Sequence, residues 1–232
     1  MTFEARVASY QASLARATRR GWDGSSRTRH DTATVATRNA PLPPPPGAFP
    51  SPQSRPPTTR VRNVRVRRCF SFLDLCGFTA YTETGGDSQA VAVLSLLRAT
   101  LRAECERSGV RVTKWLGDGA MLSGIERAGV LEATASVAAR MREESPLALR
   151  AGIAEGPVIM FEGDDYIGAT VNAAARLCDI ALPGQILVAT EDATPHELPR
   201  WMQLKPLGPL AVAGLARPVD VAEMVVGRSV RP

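Results

Sequence analysis

Phe72-Leu73-Asp74-Leu75-Cys76-Gly77-Phe78-Thr79 runs an apolar strand into a carboxylate and then into a tight turn. Read backwards from Asp74, residues Val66 to Leu75 form a short apolar run bounded by the Gly77 turn signal, the pattern of a buried strand. Read forwards, Lys114-Trp115-Leu116-Gly117-Asp118-Gly119 brings a second carboxylate to another strand end. Oxygen donors of this kind suit paired hard divalent cations. A single Asp beside Gly is ordinarily a turn residue, so neither aspartate carries the reading alone.

Outward from these two stretches the periodicity changes between the strand and helix types. Asp87 or Ser88 is expected to cap a helix that places Ala90, Leu94, Leu97, Leu101 and Cys105 on one face. Val110–Leu116 and Ala120–Ile125 read as strands joined through Gly117-Asp118-Gly119, a hairpin signal. A second helix is expected over Val130–Arg142, aligning Val130, Thr134, Val137 and Met141. Leu147–Ala154 and Val158–Phe161 read as two strands, Gly168–Ile180 as a helix and Gln185–Ala189 as a strand. The order implies an α+β fold, a ferredoxin-like βαββαβ core with C-terminal strand additions, over residues 61–228.

Residues 1–60 have a different character. Pro43-Pro44-Pro45-Pro46 sits in a stretch rich in Pro, Ser, Thr and Arg, which neither pairs in a sheet nor sustains a helix, so a disordered leader is expected. Phe3, Val7, Tyr10 and Leu14 are spaced as a short amphipathic helix over 3–18, surrounded by arginines. That helix is open to three readings: a weak membrane-surface contact, a contact with a partner protein, or a frayed tail. An Arg-rich, acid-poor leader is also what an organelle transit peptide looks like.

The charge follows the same division. Before Cys69 there are thirteen Arg and three acids, a surplus of ten positive charges, so a formal total of +5 leaves residues 69–232 at −5. The high pI describes the leader and is no argument for specific nucleic-acid binding by the folded part. Cys69, Cys76, Cys105 and Cys178 form no C-x-x-C pair and follow no secretion signal, which fits a reducing, cytoplasmic setting. With only His30 and His196, a zinc cluster or a Ser-His-Asp triad is hard to assemble. No apolar run reaches the roughly 20 residues of a membrane-spanning helix.

Four patterns occur in order between Val66 and Val226: Phe72-x-Asp74-x-x-Gly77-Phe78-Thr79, Lys114-x-x-Gly117-Asp118, Arg150-x-Gly152-Ile153, and Gly168-x-x-Val171-Asn172-x-Ala174-Ala175-Arg176-Leu177. Together they resemble the catalytic domain of class III adenylyl cyclases. The resemblance implies that Asp74 and Asp118 hold two Mg²⁺ or Mn²⁺ ions beside the ribose 3′-hydroxyl and the triphosphate of ATP. It implies further that Asn172 orients the ribose and that Arg176 stabilises charge on the α-phosphate in the transition state. A spacing of four on a helix puts those two side chains on one face.

By the same resemblance Lys114 and Asp165 select the base. An ammonium only donates and a carboxylate only accepts, which complements N1 and the N6 amino group of adenine but not the guanine edge. Asp164 is an alternative to Asp165, which is preferred because it lies seven residues before Asn172. Arg150 matches a position that contacts the terminal phosphates. One departure stands out: Ala213-Gly214-Leu215 occupies a place where the family often has Lys-Gly-Leu, and Arg217 is a weak candidate for the missing charge. The resemblance implies a homodimer in which each site takes its metal carboxylates from one chain and its Lys, Asp, Asn and Arg from the other. The expected activity is conversion of ATP to 3′,5′-cyclic AMP and pyrophosphate. A guanylyl cyclase and a regulatory nucleotide-binding module without turnover are the competing readings.

Overall fold

The computed structural model describes residues 64–161, 165–190 and 198–227. The leader with its expected helix, Asp164 and His196 therefore lie outside the described residues. In chain order the elements are β1 (Val64–Leu75), α1 (Phe78–Gly85), α2 (Asp87–Arg107), β2 (Arg111–Leu116), β3 (Gly119–Gly124), α3 (Arg127–Glu144), β4 (Leu149–Phe161), β5 (Asp165–Ile167), α4 (Ala169–Ile180), β6 (Ile186–Ala189), β7 (Met202–Leu210) and β8 (Val219–Val226).

One mixed sheet runs β2-β3-β1-β4-β6-β8-β7, with β5 added to β4. Its first four strands have the order and antiparallel pairing of a ferredoxin-like core, as expected, and β6 joins β4 in parallel. Alternation along β1 divides the interior. Cys69, Leu73 and Leu75 enter a core with Val93, Leu97 and Leu101 of α2 and Val130, Val137 and Met141 of α3. Phe70 enters a second core with Ala174 and Leu177 of α4. Two helices thus cover one face and α4 covers the other. The period-2 alternation gives Asp74 the α4 face, with Phe70 and Phe72.

Three local expectations are corrected. The segment read as two strands, Leu147–Ala154 and Val158–Phe161, is the single strand β4, unbroken by Gly156 and Pro157. Pro157 is tolerated because, opposite β1, β4 pairs with β6 at 151–153 and with β5 at 159–161, leaving no strand partner between them. The cap expected at Asp87 or Ser88 is Gly86, which has no side chain to accept from the first helical N–H groups, and Asp87 lies inside the first turn where its charge favours the helix dipole. The short α1 was not anticipated, having no buried residue to give it a periodic apolar signal.

Register reveals how far the sheet bends. Lys114 is level with Met121, Met121 with Phe72 and Phe72 with Gly152, whereas Asp165 is level with Phe161. On a flat sheet Asp165 would lie nine residues along β4 from that level, about 30 Å at the usual rise per residue. Yet the Lys114 ammonium and the Asp165 carboxylate form an ion pair. The long β1–β4 ribbon and its β5 extension must therefore coil over the α4 face, where Tyr166 meets Phe70 edge-on with ring centroids 5.1 Å apart.

Candidate functional site

Asp74 ends β1 between Gly119 of β3 and Arg150 of β4, each directly opposite it in register. Gly119 is required here: a Cβ would collide with the Leu73 carbonyl oxygen and lie 3.4 Å from Asp74 Oδ1. Its bare backbone lets the β2–β3 hairpin close on the end of β1, which brings Asp118 beside Asp74. Gly117 makes the turn with φ of 68°, a left-handed conformation that favours glycine.

The electrostatics register that proximity. Burial and then the charge of Asp74 push the Asp118 carboxyl above its ordinary range. A cation placed beside Asp118 would offset the neighbouring negative charge that disfavours its ionised form. Among the described residues no three His, Cys, Asp or Glu side chains converge as a complete metal cage. That is consistent with the octahedral habit of Mg²⁺, which takes one or two protein carboxylates and fills its shell with water and substrate phosphate. The donor set consists of hard oxygens, so it suits Mg²⁺ or Mn²⁺ better than a thiophilic metal.

Arg150 lies on Asp74. Its Nε and Nη2 donate to Asp74 Oδ2 at 2.9 and 2.6 Å, and its Nη1 donates to the Asp179 carbonyl oxygen at 3.0 Å. Burial works against the guanidinium charge, but the hydrogen bonds and charge of Asp74 outweigh it and hold the proton more firmly. Arg150 is thus assembled with the carboxylates and not with the Lys114–Asp165 pair.

The helix α4 carries Asn172 and Arg176, both exposed. It approaches β4 closely because Gly152 has no side chain: a Cβ there would collide with the Cys178 amide nitrogen and the Ala174 carbonyl oxygen. This gives the glycine of Arg150-Ala151-Gly152-Ile153 a packing role. Ala174, Leu177 and Cys178 are the buried residues of α4, while Val171 and Ala175 are only half-buried. Arg176 Nη1 donates to Asp179 Oδ2 at 3.1 Å. Across from it the Ala213-Gly214-Leu215 turn comes so near that a Gly214 Cβ would lie 3.5 Å from Arg176 Nε. Arg217 stands in a cleft of about 370 Å³ with Ala169, Thr170 and Ala173 of α4. Asp179 was not singled out by the sequence; its i,i+3 spacing from Arg176 was the signal available.

The seven candidate residues therefore form three groups within a chain: Asp74, Asp118 and Arg150; Lys114 with Asp165; and Asn172 with Arg176 on α4. A solved adenylyl cyclase, CyaB from P. aeruginosa, superposes with a TM-score of 0.60 at 24% identity, over 74% of this chain and 100% of that one. The guanylyl cyclase Cya2 superposes with a TM-score of 0.57 at 21% identity, over 73% of this chain and 97% of that one. The fold is that of the class III nucleotidyl cyclase catalytic domain.

Sequence relatives agree with the cyclase fold. An uncharacterized protein of Mycobacterium tuberculosis is 35% identical over 157 residues, 66% of this chain and 40% of its own length. An adenylate cyclase of Streptomyces coelicolor is 32% identical over 128 residues, 55% of this chain and 33% of its own length. The chain thus spans less than half the length of these curated relatives. No family model matches the chain. Among the described residues no helix is long and apolar enough to cross a membrane.

Proposed function

We propose that the chain is an adenylyl cyclase, converting ATP to 3′,5′-cyclic AMP and pyrophosphate at sites shared between two copies of itself. The observation that carries this reading is the convergence of Asp74 and Asp118 on one strand end, in a cyclase fold that also presents Lys114 with Asp165 and Asn172 with Arg176. In the reaction the ribose 3′-oxygen bonds to the α-phosphorus as the bond to the bridging oxygen of pyrophosphate breaks. The hydroxyl proton leaves to water or to a substrate phosphate; no side chain is assigned as base.

Asp74 and Asp118 would hold the divalent cations, which when bound acidify the attacking hydroxyl and neutralise charge on the leaving group. Arg176 supplies positive charge where the five-coordinate phosphorus gathers negative charge, a contribution realised mainly in the transition state. Asn172, four residues earlier on α4, orients the ribose. Arg150, held beside the carboxylates by Asp74, would contact the terminal phosphates. Ala213 offers no charge to the triphosphate, so weaker substrate binding is expected without loss of the chemistry.

Lys114 and Asp165 support ATP over GTP. Each is paired with the other across the bent ribbon, and an adenine edge satisfies both, whereas a guanine edge leaves donor facing donor and acceptor facing acceptor. A partner left unpaired once a bound base covers it costs about 1–3 kcal/mol. The fold itself is common to adenylyl and guanylyl cyclases, so the base must be read from this pair. The test is a product assay with ATP and with GTP, in Mg²⁺ and in Mn²⁺. Cyclic AMP from the wild type and none from Asp74→Ala supports the proposal. Cyclic GTP-derived product in excess makes it a guanylyl cyclase, and no product from either nucleotide makes it a binding module.

A further inference from the structure

Arg176 and Arg150 belong to different groups of the site, yet both end on the same residue. Asp179 accepts from Arg176 through its side chain at 3.1 Å and from Arg150 through its main-chain carbonyl at 3.0 Å. That carbonyl belongs to the last turn of α4, where helical carbonyls have no intrahelical partner and a cation is favoured by the dipole. We infer that Asp179 is a positioning residue: its carboxylate orients the Arg176 guanidinium for the reacting phosphate, from a helix turn whose main chain is held by Arg150.

An exposed ion pair alone would not carry this, because such pairs contribute little to stability, and both Arg176 and Asp179 have more than half of their side-chain surface exposed. Two further observations do. The Gly214 turn closes on the Nε side of the same guanidinium, with φ of 86° that favours glycine, so Arg176 is bracketed between Asp179 and a turn. Arg150, always charged and with a planar fork, commits Nε and Nη2 to Asp74 and Nη1 to Asp179. Arg176 is long and otherwise free to rotate, and only its Nη1 is taken by the carboxylate, leaving further N–H donors for a phosphate. Holding one end of the fork selects, before substrate arrives, the arrangement that the transition state needs.

The inference rests on the reading of Arg176 as the group that meets the reacting phosphate. Its test is steady-state kinetics of Asp179→Ala and Asp179→Glu beside the wild type, with binding of a 3′-deoxy ATP analogue measured separately. The Ala variant is expected to lose roughly tenfold in kcat with KM and analogue affinity within about twofold, and the Glu variant, which restores a carboxylate, is expected to recover part of the loss. A wild-type kcat in Asp179→Ala, or a loss that appears only in KM, or equal losses in the Ala and Glu variants with a lowered melting temperature, would overturn it. Wild-type protein that forms no cyclic nucleotide removes the proposed function itself, a result distinguishable from all of these.

Discussion

Asp118 holds its proton more tightly in the fold than in the unfolded chain, because of burial first and the neighbouring Asp74 charge second. Stability associated with that proton is present below the ordinary carboxyl value of 3.8 and is lost as pH rises through the raised folded value. At neutral pH, without divalent cations, ionised Asp118 therefore works against folding. Asp118→Asn is expected to melt a few degrees higher than wild type in chelator at pH 7, with the difference closing as pH falls below about 4. Melting curves between pH 3 and 8 check it, and a variant that melts lower at pH 7 contradicts it. Lys114→Met addresses the other end of the site. It leaves Asp165 without its donor, so the preference for ATP over GTP is expected to fall by about tenfold, read from the two kcat/KM values. The thiols are a control on local chemistry: burial pushes Cys76 up to about 11 and Cys178 up to about 12, so both remain protonated at neutral pH and are expected to alkylate slowly until the chain unfolds.

Among the elements, α4 and β4 depend most on a single position. Gly152 lets the helix backbone rest against the strand, and the atoms a methyl group would strike are a backbone nitrogen and a backbone oxygen, which cannot rotate away. Gly152→Ala is expected to destabilise the domain by about 3 kcal/mol, measured by urea unfolding, and to lower activity with it. The elements were legible where periodicity was long: α2, α3, α4 and the strands of the core follow their apolar spacing. They were illegible where another force decided. The eight residues of α1 are too few for a periodic signal: only Phe78 and Tyr81 pack against the core, and none of its residues is fully buried. Pro157 reads as a break, yet β4 passes through it because the neighbouring edge there has no strand to satisfy. At the site, Asp74, Asp118, Asn172 and Arg176 stood out through local pattern. Asp179 did not, because a surface acid three residues from an arginine looks like any solvated helix pair until Arg150 is seen to arrive from another strand.

At the scale of the whole molecule, the proposed reaction takes its carboxylates from one copy and Asn172 and Arg176 from another. Mixing an Asp118→Ala chain with an Asn172→Ala chain is expected to restore activity that neither homodimer has, because the heterodimer contains one intact site. Subunit exchange is verified by differential tags. No recovery in a mixture that has exchanged would mean that each site is built within one chain. The sequence showed the members of each group but not which of them pair in space, which depends on strand order and on the coiling of the β1–β4 ribbon.

With Lys114 and Asp165 holding the base as proposed, that coiling would make recognition of the purine a property of curvature. Lys114 and Asp165 come from the two ends of a bent β surface, so anything that stiffens or straightens the arm around Gly156 and Pro157 would pull the tongs apart without touching either tip. On the proposed reading, selectivity between nucleotides would be exposed to remote influence: a substitution or a binding partner acting on the arm would loosen discrimination while leaving the phosphate chemistry untouched.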